Sequence, residues 1–374
     1  MIRKTDISIL VPNLHIGGAE LAMLQIAEGL AARGLRVDLV LMQAEGGFMS
    51  QVSDKIRVVN LASNRTRNSI WKLFRYLQKE RPAGLISAHD GANVIAILVK
   101  FLSRVPTRLI ITINSHLSLA YNATNDRRLA GFNTQALFQI LKFAYRYADE
   151  IVAISTGVAN EVAQLIKIPR ERVQVFYLPV LNDRFDQLKT ASVEDQSLLA
   201  EDIPNIVSVG RLTSAKDFAT LIRAFSIFVK HLPSRMIILG EGELRPELET
   251  LVLDLGLQDV ILLPGFVDNC YPYMVACDLF VVSSAHEGLS MVLIEAMACG
   301  APVVSTNCES GPREILEDGA WGRLVPVGDH VALAEAMKKT LIEKSTVTVI
   351  PNRVFDPFRQ DVVAKKYQKL IFNV

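Results

Sequence analysis

The chain has 374 residues, of which 50% are hydrophobic and 21% charged, with a formal net charge of +1. That length and balance fit two soluble α/β domains with separate cores, and they call for no nucleic-acid partner. The four cysteines, Cys270, Cys277, Cys299 and Cys308, show no C-x-x-C spacing and are expected as reduced thiols, which excludes a disulfide framework.

Strands and helices alternate through the first half. Strands are expected at 7–11, 37–42, 56–61, 84–88, 108–113, 151–154 and 173–177. Helices are expected at 19–33, closed by Gly34, at 68–79, ended before Pro82, at 92–103 and at 156–168. A polar loop at 114–126 leads to a long helix expected near 128–148. The short strands are continuous apolar runs, as in a parallel sheet buried on both faces. Residues 182–204 are polar, acidic and weakly periodic, and read as a linker. A second alternating series follows, with strands at 206–209, 235–239, 260–263, 279–283 and 302–305. Its helices are expected at 217–230, 244–255, 271–276, 290–299 and 331–343, and a tail helix at 358–372.

No apolar run reaches the ~18 residues of a membrane span; residues 92–102 come nearest and include Lys100. Met1-Ile-Arg-Lys-Thr-Asp leads straight into a strand, so no signal peptide is evident and a cytoplasmic location is expected. The net charge hides an asymmetry. Residues 1–180 hold 22 Lys and Arg against 13 Asp and Glu, whereas residues 181–354 hold 14 against 24. Trp71, Phe74 and Leu77 fall at near-helical spacing beside Lys72, Arg75 and Lys79, and Lys142 and Arg146 lie in another segment rich in Phe and Leu. Such stretches suit either a helix packed on a sheet or a helix docked on an anionic membrane surface.

The densest chemistry follows the strand at 279–283. Glu287 is followed at once by Gly288, and Glu295 stands eight residues after Glu287. The first carboxylate lies in a loop and the second in the helix that begins near Ser290. Eight helical residues turn about 800°, roughly 80° beyond two turns. With a bend at Gly288, both carboxylates can face the C-terminal edge of a sheet, where open α/β sheets bind ligands. Earlier, Gly210 ends a strand, and Arg211 and Lys216 precede the next helix. Two cations beside helix-end N–H groups suit a diphosphate. Gly17-Gly18-Ala19-Glu20 opens a helix after the first strand, so backbone can approach a ligand closely. This is not G-x-G-x-x-G, which weakens a nicotinamide dehydrogenase reading. The chain has no Asp-x-Asp, no His/Cys cluster with metal spacing, no Gly-x-Ser-x-Gly elbow and no Walker loop.

These segments resemble the retaining glycosyltransferases of GT-B fold, in particular glycosyltransferase family 4, most strongly over Asn205–Val327. The resemblance implies an α/β protein with two doubly wound Rossmann-like domains and a cleft between them. Residues 1–181, with a returning helix at 355–374, would form the acceptor-side domain, and residues 182–354 would bind the nucleotide sugar. Arg211 and Lys216 would neutralise the leaving diphosphate, and Gly17 and Gly18 would approach donor phosphate. Glu287 would sit near the transferred sugar, with N–H groups of Gly288, Leu289 and Ser290 close by. Glu295 would accept hydrogen bonds from ribose hydroxyls. Gly240 would lie near the nucleotide, and backbone groups of Phe266 and Val267 would pair with the base. Family members often carry a histidine after the strand that ends here at Ile113. Asn114 holds that position and His116 lies two residues on, so either could contact the reacting sugar. His89-Asp90, after another strand, could line the acceptor side.

The implied function is metal-independent retaining transfer of a hexose from a nucleoside-diphosphate sugar to a glycan or lipid-linked acceptor, in cell-surface polysaccharide biosynthesis. No cofactor is implied, because the nucleotide sugar is itself the donor substrate. The basic first half adds a peripheral place on the cytoplasmic face of an anionic membrane. Two alternatives share the fold: a nucleotide-sugar epimerase, which converts donor alone, and a non-catalytic sugar-nucleotide-binding protein.

Overall fold

The run Ile7-Ser-Ile-Leu-Val is buried at every position, as expected of a strand covered on both faces. It starts the first of two parallel sheets in this computed structural model. The structure describes residues 5–15, 17–63, 68–118, 128–129, 132–342 and 350–373, with backbone alone at 128–129 and 132–137. Residues 1–179 with 357–374 form one compact unit, and 180–356 form the other.

The first unit runs β1 (Ile7–Val11), α1 (Gly18–Ala32), β2 (Val37–Leu41), β3 (Ile56–Asn60), α2 (Ser69–Glu80), β4 (Gly84–Ala88), α3 (Asp90–Ser103) and β5 (Arg108–Ile113). It continues through a short antiparallel pair, β6 (Arg128–Leu129) and β7 (Phe132–Asn133), to α4 (Thr134–Ala144), β8 (Glu150–Ala153), α5 (Thr156–Ile166) and β9 (Val173–Val175). The seven-stranded sheet has the order β3-β2-β1-β4-β5-β8-β9. Strand order reverses between β1 and β4, so the loops after those strands flank the switch point where such sheets bind ligands. Asp38 on β2 ties the far edge together. Its carboxylate accepts from Thr5 Oγ1 at 2.9 Å, Arg57 Nε at 2.9 Å and Tyr76 OH at 2.5 Å.

The second unit runs α6 (Asp183–Leu188), β10 (Asn205–Val209), α7 (Phe218–Phe228), β11 (Arg235–Leu239), α8 (Arg245–Asp254), β12 (Ile261–Gly265) and α9 (Tyr271–Ala276). Then come β13 (Leu279–Val282), α10 (Met291–Ala298), β14 (Val303–Thr306), α11 (Pro312–Ile315), β15 (Arg323–Val325), α12 (His330–Ile342) and α13 (Asn352–Phe355). The six-stranded parallel sheet has the order β12-β11-β10-β13-β14-β15, and its switch point lies between β10 and β13. Phe218, Leu221, Ile222 and Phe225 of α7 pack on Ile206, Met236 and Ile238 of the sheet and on Leu333 and Met337 of α12.

The chain then returns to the first unit as α14 (Gln360–Phe372), which lies along α1. A Cβ built at Gly29 would stand 2.9 Å from Ala364 Cβ, so the two helices meet where one lacks a side chain. Gln360 Nε2 donates to Gln25 O at 2.7 Å, and Tyr367 meets Phe176 edge-on with ring centroids 5.1 Å apart.

Two expectations are corrected. The long helix expected over 128–148 begins only at Thr134, after the β6–β7 pair, and ends in a 3-10 turn at Tyr145–Tyr147. The segment 182–204, expected as an irregular linker, opens with α6, where Asn182 Oδ1 caps the N–H of Phe185 at 2.9 Å.

Candidate active site

The second unit places its charged side chains at its switch point. The loop after β10 carries Gly210, Arg211 and Lys216, and the loop after β13 carries Glu287 to Ser290. These loops are stitched by backbone: Ala285 N–H and His286 N–H donate to Ala215 O at 2.9 and 3.3 Å. Ser283 Oγ adds a bond to Lys216 O at 2.8 Å. Lys216 Nζ is thereby held 2.6 Å from Glu287 Oε1. The same oxygen accepts from Ser284 Oγ at 2.7 Å and from Ser290 Oγ at 3.4 Å. Glu287 Oε2 takes no hydrogen bond among the described residues. The pair is partly desolvated, with side chains 23% and 9% exposed, so its attraction is stronger than that of a surface ion pair.

Glu295 is buried on α10 and accepts from Tyr271 OH at 3.1 Å. Burial pushes its carboxyl up to about 7, opposed by the Tyr271 hydrogen bond and the nearby charge of Lys216. The folded state therefore holds this proton more tightly than the unfolded chain does. Its stabilising contribution is present below the ordinary value of 4.5 and is lost as pH rises through about 7. Glu295→Gln is expected to match the wild type in urea unfolding at acid pH. In mild alkali it should be more stable, by up to ~3 kcal/mol from the size of that shift. An equal offset between the two proteins at both ends of the range would show that burial of this charge is not what perturbs it.

Arg211 is exposed and makes no ion pair among the described residues. The helix end near it differs from expectation. Asp217, with φ +46°, caps α7 itself, accepting from Thr220 N–H at 3.2 Å and Thr220 Oγ1 at 2.7 Å. The N-terminus of α7 thus spends part of its donor capacity on its own carboxylate.

Gly240 has φ +142°, and a Cβ there would lie 2.0 Å from Gly210 O, so the turn after β11 presses against the loop after β10. Gly210 N–H donates to Leu239 O at 3.0 Å and Gly240 N–H to Gly265 O at 2.8 Å, which ties the ends of β10, β11 and β12 into one rim. Phe266 stands exposed on that rim beside half-buried Val267. Gly288 is half-buried, Leu289 is buried, and Ser290 caps α10 without a side-chain bond to its N–H groups.

In the first unit, Gly17 and Gly18 begin α1, whose first turn has no side-chain cap. Glu20 folds back so closely that a Cβ on Gly17 would sit 2.4 Å from Glu20 Oε2. Its Oε1 lies 3.2 Å from His89 Nε2. Burial raises the Glu20 pKa, but the His89 bond and charge, its own backbone N–H and the charge of His15 together outweigh it, and the net shift is downward. His89 has φ +72° with ψ 139°, a strained conformation for a residue with a Cβ. After β5, Asn114 and His116 take different places. His116 is buried, with Nδ1 3.4 Å from Glu161 Oε2. Glu161 also accepts from Leu117 N–H at 2.9 Å and Ser118 N–H at 2.8 Å. Asn114 keeps both amide atoms buried without a hydrogen-bond partner among the described residues, an arrangement that costs free energy until something supplies one.

Sequence reasoning missed Ser284, Tyr271, Glu20 and Glu161. Ser284 lies in the strand-end serine pair and was within reach of a local reading. Tyr271 and Glu161 meet partners far along the chain, and no local signal marks them. Among the described residues, no group of three or more His, Cys, Asp or Glu side chains is arranged to hold a metal ion. The cysteines are free, with Cys277 and Cys308 buried.

Comparison with known proteins gives two family matches. The model of Glycosyltransferase Family 4 matches residues 16–184, and that of Glycosyl transferases group 1 matches residues 203–343. One relative is the N-acetylgalactosamine-N,N'-diacetylbacillosaminyl-diphospho-undecaprenol 4-alpha-N-acetylgalactosaminyltransferase of Campylobacter jejuni. It is 33% identical over 251 residues, which are 67% of this chain and 64% of the relative. Another is the lipopolysaccharide core biosynthesis glycosyltransferase LpsE of Rhizobium meliloti, 32% identical over 61% of this chain and 65% of its own length. The chain thus spans slightly less than two-thirds of both relatives. Among solved structures, Anabaena HepE in complex with UDP superposes with a TM-score of 0.79 at 20% identity, covering 99% of this chain and 100% of that one. At that identity the likeness is one of fold.

Proposed function

Because the chain belongs to glycosyltransferase family 4, we propose that it moves a sugar from a nucleoside-diphosphate sugar to an acceptor hydroxyl, with retention at the anomeric carbon. The observation that carries this reading is the Lys216–Glu287 pair at the switch point of the second sheet. Three donors occupy one oxygen of Glu287 and leave the other toward an incoming sugar hydroxyl. Lys216 and Arg211 take the diphosphate. As the bond from the anomeric carbon to phosphate oxygen breaks, negative charge grows on that oxygen, and the two cations stabilise it more than they stabilise bound donor. The acceptor oxygen forms the new bond on the same face, and its proton passes to the departing phosphate. Glu287 orients the sugar and supports its oxocarbenium-like charge. Glu295 accepts from ribose hydroxyls, and backbone of Phe266 and Val267 meets the base. The rim at Gly240 and N–H groups of Gly288, Leu289 and Ser290 complete the donor site.

In the first unit, Gly17 and Gly18 offer the uncapped start of α1 to donor phosphate. Asn114 is the better contact for the sugar, since its amide lacks partners among the described residues, and His116, held by Glu161, positions that loop. HepE has been solved with UDP-glucose, and the Campylobacter relative acts, by its name, on a diphospho-undecaprenol carrier. The name of the Campylobacter relative supports a glycan on a lipid diphosphate as acceptor, with the protein peripheral to the membrane. No helix among the described residues is long and apolar enough to cross one.

A panel of UDP-, GDP-, ADP- and dTDP-sugars, with chelator present, tests the donor site by calorimetric binding and slow donor hydrolysis. Selective binding of one donor, weakened in Arg211→Ala by about tenfold or more, is expected. A folded protein that binds none of the four would end the donor assignment. Quantitative epimerisation of donor without acceptor would replace transfer by the epimerase reading.

A further inference from the structure

The segment after residue 180, which reads in sequence as a linker, packs against the ribose end of the proposed donor site. Phe185 of α6 is 3% exposed, and its ring meets Tyr271 edge-on with centroids 4.9 Å apart. Lys189 Nζ stands 5.2 Å from the centre of the Phe185 ring. Asn269 fastens α6 to α9: its Nδ2 donates to Leu188 O at 2.8 Å, and its Oδ1 accepts from Tyr271 N–H at 3.2 Å. An aromatic pair of this geometry holds a ring more firmly than burial alone does. Tyr271 is thus fixed by its backbone and by its ring, and its hydroxyl reaches α10, donating to Glu295 Oε1 at 3.1 Å. The other oxygen of Glu295 takes no hydrogen bond among the described residues, although Glu295 is only 7% exposed. A phenol has one proton. Bonded to the carboxylate, it leaves its oxygen able only to accept, and an ionised carboxylate likewise only accepts. Two adjoining acceptors suit a ligand that brings two O–H donors.

We propose that Tyr271, braced by Phe185 of α6, is the residue that positions Glu295 for the vicinal hydroxyls of ribose, so that the site favours ribonucleotide sugars over 2′-deoxyribonucleotide sugars. The proposal rests on the donor reading and goes beyond it by giving Tyr271 and α6 a part in choosing the nucleotide. The Tyr271 hydroxyl has a second effect. Its bond favours the ionised form of Glu295 against burial, which pushes that carboxyl up to about 7. The charge of Lys216, from the loop after β10, acts in the same direction. Cys270 before α9 and Cys299 after α10 both feel the charge of Glu295, and Lys189 after α6 reaches Cys299, but burial keeps both thiols protonated over the neutral range. Affinity for a ribonucleotide sugar therefore rises with pH through about 7, as Glu295 ionises. Without the phenol, Glu295 keeps its proton to higher pH.

Calorimetric binding of UDP-, GDP- and ADP-glucose to the full chain, each beside its 2′-deoxy counterpart, is the test. It is run from mildly acid to mildly alkaline pH, where the diphosphate diester of a nucleotide sugar does not itself titrate. Wild type is expected to bind one ribonucleotide sugar about tenfold or more tightly than its 2′-deoxy form. Tyr271→Phe keeps the ring against Phe185. It should weaken the ribose form by about tenfold and the deoxy form by little, and should move the rise in affinity toward alkali. Phe185→Leu keeps the hydroxyl but loosens the ring, and should show the same pattern to a lesser degree, with thermal unfolding read beside both. A merely structural loss would weaken both nucleotides equally and leave the pH profile in place. That result in Tyr271→Phe would overturn the proposal, and so would wild-type binding indifferent to the 2′-hydroxyl. An effect of Tyr271→Phe with none of Phe185→Leu would remove α6 from the site. If folded wild type binds none of these compounds, the donor reading itself fails and this proposal with it, whereas tight binding untouched by Tyr271→Phe sinks the proposal alone.

Discussion

Lys216→Ala is expected to lower sugar transfer by about a thousandfold while leaving the protein folded. Two facts set that size. The ammonium is held, not floating: its backbone oxygen is bound by Ser283, the loop before it by the chain at Ala285 and His286, and its nitrogen by Glu287 at 2.6 Å. A preorganised charge aimed at a developing negative oxygen contributes roughly 3–4 kcal/mol to the transition state, which is two to three powers of ten. The cost to folding is small, because Glu287 keeps the hydroxyls of Ser284 and Ser290. Single-turnover transfer with the donor found in the panel is the measurement, read beside thermal unfolding. Glu287→Gln should fall by a comparable factor, and the double variant should lose less than the product of the two, since the groups act on one event. Full transfer by folded Lys216→Ala would remove this lysine from the reaction. Strict multiplication of the two losses would separate it from Glu287.

Gly240→Ala is expected to cost ~3–5 kcal/mol of stability and most nucleotide affinity. The added methyl carbon would lie 2.0 Å from Gly210 O and 2.9 Å from Gly210 C, and both are backbone that cannot rotate away. Relief requires parting the turns after β10 and β11, and those turns form the rim of the proposed donor site. Gly300→Ala is the control. That glycine also has positive φ, at +85°, but nothing lies within 4 Å of a Cβ there. It should lose only ~1 kcal/mol, the price of the left-handed conformation alone. Urea unfolding separates the two cases. Similar losses at both sites would mean that conformation, not collision, dominates at Gly240.

What could be read from the sequence follows from what is local. Apolar runs such as Leu279–Val282 state their burial residue by residue, and a doubly wound α/β architecture follows from their alternation with helices. The helix expected from 128 failed because the apolar pattern ran on past Gly131, a poor helix former, while Arg128-Leu129 pairs with Phe132-Asn133. Strand order was not legible, since no side chain records which neighbour its strand will have. The same limit applies at the site. The Glu287–Glu295 spacing and the cations at 211 and 216 could be found by eye. That Lys216 grips Glu287, or that Tyr271 feeds Glu295, depends on contacts across 71 and 24 residues. The contact that draws His116 into the interior, to Glu161, is equally remote in sequence.

The position of α14 bears on how the protein is made. The first unit needs this helix: it covers α1 at Gly29, and its Tyr367 is buried against Phe176. Yet α14 follows the whole of the second unit in the sequence. A growing chain leaves the ribosome from its N-terminus, and domains generally fold as units in that order. Here that order is inverted. The face of α1 stays open to water while 180–356 is synthesised, and the unit encoded in the middle is the first able to finish folding.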